Sequence, residues 1–185
     1  ALFMNNRAKI YRGVNLLANG GASFATLATG ADSESYLGNV GLSMTPHRSM
    51  TWGLRYSVNR ATSSGGGKPD FTSSTKRGRV SVAYNPLATL HLFLSTTWVD
   101  QDSGNRTLQN YGVNWAPFRG GALQFGFSYN ESLSSQDDSV NRVIVPNLRW
   151  EIRPGASLDV SYSAIDSESD LRESKSRTIS SSFRA

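Results

Sequence analysis

The sequence predicts an all-β fold: an antiparallel, up-and-down transmembrane β-barrel of about ten or eleven strands spanning residues 1–185 as one domain or barrel segment. Three observations predict it. Apolar residues alternate with polar ones at period 2 along most of the chain. No window approaches the roughly 18 consecutive apolar residues that a membrane-crossing helix needs, since even Leu87 to Leu94 carries Thr89 and His91. The connections between alternating runs also fall into two kinds that take turns along the chain.

The alternation is clearest where Met50, Trp52, Leu54, Tyr56 and Val58 interleave with Thr51, Gly53, Arg55, Ser57 and Asn59. Leu123, Phe125, Phe127 and Tyr129 repeat it against Gln124, Gly126 and Ser128, and Leu158, Val160 and Tyr162 against Asp159, Ser161 and Ser163. Successive strand side chains point to opposite faces, so each run has one apolar and one polar face. The pattern places strands at 22–29, 36–44, 49–59, 75–84, 88–99, 106–116, 121–131, 140–152, 156–165 and 173–183, with a further one at 8–18. Most reach the roughly 9–11 residues that cross a bilayer at a tilt. Residues 1–21 read as either a strand or a plug: as a strand they make the chain the C-terminal part of a larger barrel, and as a plug they leave ten strands that close alone.

One kind of connection is tight and carries Pro or Gly: Asn19-Gly20-Gly21, Thr45-Pro46-His47-Arg48, Asn85-Pro86-Leu87, Pro117-Phe118-Arg119-Gly120 and Arg153-Pro154-Gly155. The other is longer and rich in Ser, Asp and Gly: Gly30 to Ser35, Arg60 to Ser74, Asp100 to Asn105, Ser132 to Ser139 and Asp166 to Arg172. A barrel with short turns on one rim and longer loops on the other has this form, whereas a soluble Greek-key sandwich mixes its connections. Aromatic placement agrees, because Trp and Tyr favour lipid-water interfaces. Trp52, Tyr84, Trp115 and Trp150 fall near tight turns, while Tyr36, Tyr56, Trp98, Tyr129 and Tyr162 fall near the polar connections, giving two interface girdles. The polar faces then line a wet lumen, with Arg55, Arg79, His91, Gln124, Arg149 and Asp159 as lumen-lining candidates. The competing reading is a soluble all-β domain in which the same aromatic side chains fill a core.

Composition narrows the function classes. With 38% hydrophobic and 18% charged residues the chain is too apolar for a disordered tail and too polar for a helical membrane protein. It has no cysteine, which removes disulfides, thiolate metal sites and cysteine nucleophiles. The net charge of +5 comes from 19 basic and 14 acidic side chains that are dispersed, so no nucleic-acid-binding patch is expected.

The repeated unit of strand, Pro-containing turn, strand and Ser/Asp-rich loop, as in Val80-Ser-Val-Ala-Tyr-Asn-Pro-Leu-Ala-Thr-Leu and Leu148-Arg-Trp-Glu-Ile-Arg-Pro-Gly-Ala-Ser-Leu, resembles bacterial outer-membrane β-barrel proteins of the porin type. In style it is also similar to barrels that sheathe cytochrome conduits or serve exopolysaccharide export. Ile179-Ser-Ser-Ser-Phe183 looks like the terminal signal read by the barrel-assembly machinery, followed here by Arg184 and Ala185. The resemblance implies a bacterial outer-membrane location, contact with the bilayer and lipopolysaccharide, and a passage for solutes or cargo. The alternative is a structural sheath around a partner protein in the lumen or periplasm.

Catalysis and metal binding find little support. Neither His47 nor His91 has an acidic neighbour in sequence to orient it, so a lumen wall explains His91 better than a general base does. Asp100-Gln-Asp102-Ser-Gly104 has glycine where a calcium ligand belongs and reads as a turn. Asp166, Glu168 and Asp170 could gather a divalent ion or meet lipopolysaccharide through one, and a solvated acidic loop is the simpler reading. Gly65-Gly66-Gly67-Lys68 lacks the first glycine and the hydroxyl residue of a phosphate-binding loop, and Pro69 follows it. No enzyme activity, cofactor or metal is expected.

Overall fold

The computed structural model describes residues 1–26, 31–65, 70–118, 120–170 and 172–184. They form one antiparallel sheet of eleven strands: β1 (Leu2–Tyr11), β2 (Val14–Thr26), β3 (Ala31–His47), β4 (Met50–Gly65), β5 (Phe71–Leu87), β6 (Leu90–Gln101), β7 (Gly104–Trp115), β8 (Leu123–Ser134), β9 (Ser139–Arg153), β10 (Ala156–Ser169) and β11 (Arg172–Arg184). Spatial order equals chain order throughout, so every connection is a hairpin. Such a meander lets each strand satisfy its backbone groups with the strands made just before and after it.

The expected turn at Asn19-Gly20-Gly21 is not one. These residues sit inside β2, paired with Asn5, Met4 and Phe3 of β1, and the chain reverses instead at Arg12-Gly13. Gly13 has φ 78° and its Cα faces the Thr45 carbonyl, where an added Cβ would stand 2.8 Å from the oxygen. Both the backbone conformation and the close approach require glycine. The strand expected at 8–18 is thus split by this turn: residues 2–11 form β1, and residues 14–21 belong to β2, which runs on into the strand expected at 22–29.

Loop asymmetry also takes an unexpected form. On the rim read as long-looped, β6 and β7 are joined by residues 102–103 alone and β8 and β9 by residues 135–138. The longest connection among the described residues, 116–122, lies on the other rim, held by Ala116 N–H to the Thr89 carbonyl (2.8 Å) and Glu151 N–H to the Ala122 carbonyl (2.6 Å). The Ser/Asp-rich segments are mostly strand: β3, β4 and β5 run 17, 16 and 17 residues, well past the bilayer-crossing length. The expected loop at 60–74 has its centre, 66–69, outside the described residues, as does Arg119 of the 117–120 turn.

Prolines mark defects in the ladder. Pro46 and Pro86 lie within strand ends where the register shifts, between Met44 and His47 and between Tyr84 and Leu87. A residue without an N–H is tolerated at such bulges. Pro146 stands inside β9, and the β9–β10 pairing is interrupted between Asn147 and Ile144. Pro154-Gly155 makes the β9–β10 turn, with Gly155 at φ 84° as a Pro-Gly turn requires.

Among the described residues no second layer covers the sheet. Among the described residues only Val99, Ala156 and Ala164 are buried hydrophobics, and no large side chain is fully buried. Leu54 and Phe125 remain 40% and 39% exposed, so the packed interior of a soluble sandwich is missing. Replacing Gly13 by valine should lower the denaturant midpoint of unfolding by about 1–2 kcal/mol equivalent, the cost of forcing an L side chain into the left-handed region. Tryptophan fluorescence in urea would check it; an unchanged midpoint would mean the turn is not held as described.

Candidate functional site

Register sorts the side chains. On one face lie Trp52, Tyr56, Tyr84, Trp98, Trp115, Tyr129, Trp150 and Tyr162, together with Leu42, Leu54, Val82, Leu92, Phe127 and Ile179. With Tyr36, which the β3–β4 register puts on the same side, all nine expected girdle residues share the apolar face. Trp115 stacks on Phe125 at 5.5 Å, and Tyr111 lies 5.9 Å from Tyr129. Cross-strand aromatic pairs of this kind stabilise a sheet that has no core beneath it.

Arg55, Arg79, His91, Gln124, Arg149 and Asp159 share the opposite, polar face, and they assemble in two groups. Arg55 and Arg79 are direct partners on β4 and β5. Like charges placed directly opposite repel, and no carboxylate among the described residues is within ion-pair range of either one. Arg79 Nε donates to Ser95 Oγ at 3.2 Å. A cleft of about 670 Å³ beside the pair is lined by Arg7, Arg55, Arg79, Phe93 and Ser95 among others. The second group is a row of Gln124, Arg149 and Asp159 across β8, β9 and β10, with Arg149 Nε 3.8 Å from the Asp159 carboxylate. It shares a cleft of about 840 Å³ with His91. His91 Nδ1 contacts the Asn85 side-chain oxygen and its ring stacks against Phe93 at 6.1 Å. His47 Nδ1 lies 2.7 Å from Ser49 Oγ within the β3–β4 turn.

The register adds residues that sequence reasoning missed. Arg7, Lys9, Arg77 and Arg106 fall on the polar face with Arg55 and Arg79. From β1 to β8 that face carries no carboxylate among the described residues; Glu151 and Asp159 appear only on β9 and β10. Arg77 and Arg106 keep the period-2 offset of their neighbours, so the signal was in the sequence. Arg7 became visible only once the first turn moved to Arg12-Gly13.

A different order holds past the apolar band. On the apolar face a single row runs Glu131, Arg142, Asp166 and Lys175 across β8 to β11, so every cross-strand partner has the opposite sign. Arg142 Nε meets Glu131 at 2.8 Å and Arg177 meets Asp166 at 2.7 Å. Tyr129 Oη donates to Glu131 at 2.8 Å from one row nearer the band. The hydrogen bond from Arg142, aided by that from Tyr129, holds the Glu131 carboxyl below its ordinary value, and Arg177 does the same to Asp166. The Asp100 to Gly104 segment is a turn, with Asp102 accepting the Ser74 amide at 2.7 Å and Asp100 pairing with Lys76 at 3.6 Å. Among the described residues no three His, Asp or Glu side chains converge as metal ligands.

Eleven antiparallel strands in meander order, apolar on one face and polar on the other, make an up-and-down sheet, with no pairing between β1 and β11 among the described residues. The outer membrane channel DcaP of Acinetobacter baumannii shares the fold, with a TM-score of 0.70 and 10% identity over 98% of this chain. This chain spans 61% of the length of that channel. The NanC porin aligns at a TM-score of 0.43 and 12% identity, covering 99% of this chain and 98% of its own. No family model and no curated protein matches the sequence.

A carboxyl held down in the folded state contributes stability above its ordinary range and loses it as pH falls through the lowered value. Unfolding midpoints should therefore drop as pH falls below the ordinary carboxylate range and Glu131 and Asp166 protonate. Asp166→Asn should flatten part of that slope in thermal melts; an unaltered slope would remove the row from the account.

Proposed function

We propose that this chain forms a wall of a β-barrel in a bacterial outer membrane, and that the barrel is a passage for solutes biased toward anions. The observation that carries the anion preference is the direct pairing of Arg55 with Arg79 on a polar face that has no carboxylate from β1 to β8 among its described residues. In a lumen, that uncompensated positive charge raises the local concentration of negative solutes and lowers their entry barrier. The apolar face supports the membrane part of the reading. Among the described residues its Leu, Val, Phe and Trp side chains pack only against neighbours on the same face, and acyl chains are the environment that accepts them.

On this reading Arg55, Arg79, His91, Gln124, Arg149 and Asp159 line the lumen, and the aromatic residues of the opposite face meet the two lipid interfaces. The row Glu131, Arg142, Asp166 and Lys175 then lies at headgroup level, where lipopolysaccharide is its neighbour. The site's chemistry is that of binding and passage, and no side chain is assigned a catalytic role.

Membrane fractionation and planar-bilayer recording test the proposal. The protein should partition with outer membranes, resist extraction without detergent, and conduct with a reversal potential favouring chloride over potassium. Arg55→Ser with Arg79→Ser should move that reversal potential toward zero with little loss of conductance. A freely soluble monomer would overturn the membrane assignment. A stoichiometric protein lodged in a non-conducting barrel would instead establish the sheath.

A further inference from the structure

Phe93 and Gly112 are cross-strand partners on β6 and β7, on the same polar face as the arginine pair. A Cβ built on Gly112 would overlap Cε1 and Cζ of Phe93, so the ring occupies the space directly above the glycine. Side chains in strands ordinarily stand away from the sheet. This ring lies down across the neighbouring strand instead, and Gly112 is buried beneath it.

Gly112 is not in the left-handed region, unlike Gly13, Gly104 and Gly155, so its backbone does not require glycine. Glycine inside a strand weakens it, and here the only thing gained is room. Phe3 lies over its partner Gly21 in the same way, which makes the arrangement a repeated device of this face. Resting an aromatic ring on a glycine also supports the sheet. What distinguishes Phe93 is its location: it lines the cleft together with Arg55, Arg79 and Ser95, and the His91 ring stacks against its own at 6.1 Å.

We propose that Phe93 sets the bore of the passage beside the arginine pair, and that Gly112 is the positioning residue that keeps the ring flat against the wall. The inference rests on the reading of the polar face as the lumen of a solute passage. Any side chain at position 112 displaces the ring toward the lumen, and the constriction then falls where anions are drawn in. The pair therefore decides how large an anion passes, while the arginines decide its sign.

The test is planar-bilayer recording from the full-length protein, with heat-modifiable electrophoretic mobility as the measure of folding. Gly112→Val should reduce single-channel conductance by about a third and lower gluconate permeability relative to chloride, as a narrowed constriction does. Adding Phe93→Ala to Gly112→Val should restore both. Phe93→Ala alone should raise the gluconate-to-chloride ratio, which keeps the proposal open to refutation even if Gly112→Val does not fold. Phe93→Ala with an unchanged permeability ratio, or a folded Gly112→Val with wild-type conductance, overturns the role of the pair while leaving the passage intact. A wild-type protein that does not conduct at all overturns both.

Discussion

The constraint on which everything else depends is that the described residues make a single sheet and lay nothing over it. Backbone N–H and C=O groups are satisfied laterally, strand to strand, and each interior strand needs both neighbours. Side chains receive no such help. An apolar residue on this sheet can touch only its cross-strand partners and whatever medium lies beyond. The two-faced patterning, the aromatic pairs and the bulges at Pro46 and Pro86 all answer that one condition. A hydrocarbon medium on one side and water on the other satisfies it without any further protein.

How much of this was legible in the sequence follows from where the patterning has contrast. In β4, Trp52, Leu54 and Tyr56 alternate with Gly53, Arg55 and Ser57, and the strand is unmistakable. The same strand continues through Ala61, Thr62, Ser63 and Ser64, where both faces are small or polar and the alternation has no amplitude. Ser/Asp-rich stretches therefore read as loops when they are strands that have left the apolar zone. The first hairpin failed for a related reason. Asn19-Gly20-Gly21 carries the stronger turn composition, but Arg12-Gly13 has the neighbour that demands glycine, and that neighbour, Thr45, lies far along the chain on β3.

The candidate site was legible in kind and incomplete in membership. Period 2 alone assigned Arg55, Arg79, His91, Gln124, Arg149 and Asp159 to one face, because the offset from the apolar residues fixes it. What period 2 cannot supply is which of them become partners, since that is set by turn lengths and bulges. The facing of Arg55 and Arg79 depends on the β4–β5 register, and the row from Gln124 to Asp159 on two further hairpins. Gly112 could not be read from the sequence at all, because the reason for that glycine is a ring on another strand.

The row of alternating charge on β8 to β11 carries a mechanical consequence. Its four members, Glu131, Arg142, Asp166 and Lys175, are direct partners on four adjacent strands. A slip of β9 or β10 by one residue against its neighbours would carry a member of the row to the other face and leave two opposite charges without their partner. Any such slip is opposed on both sides of the strand at once. The row acts as a ratchet stop, holding these four strands in one register.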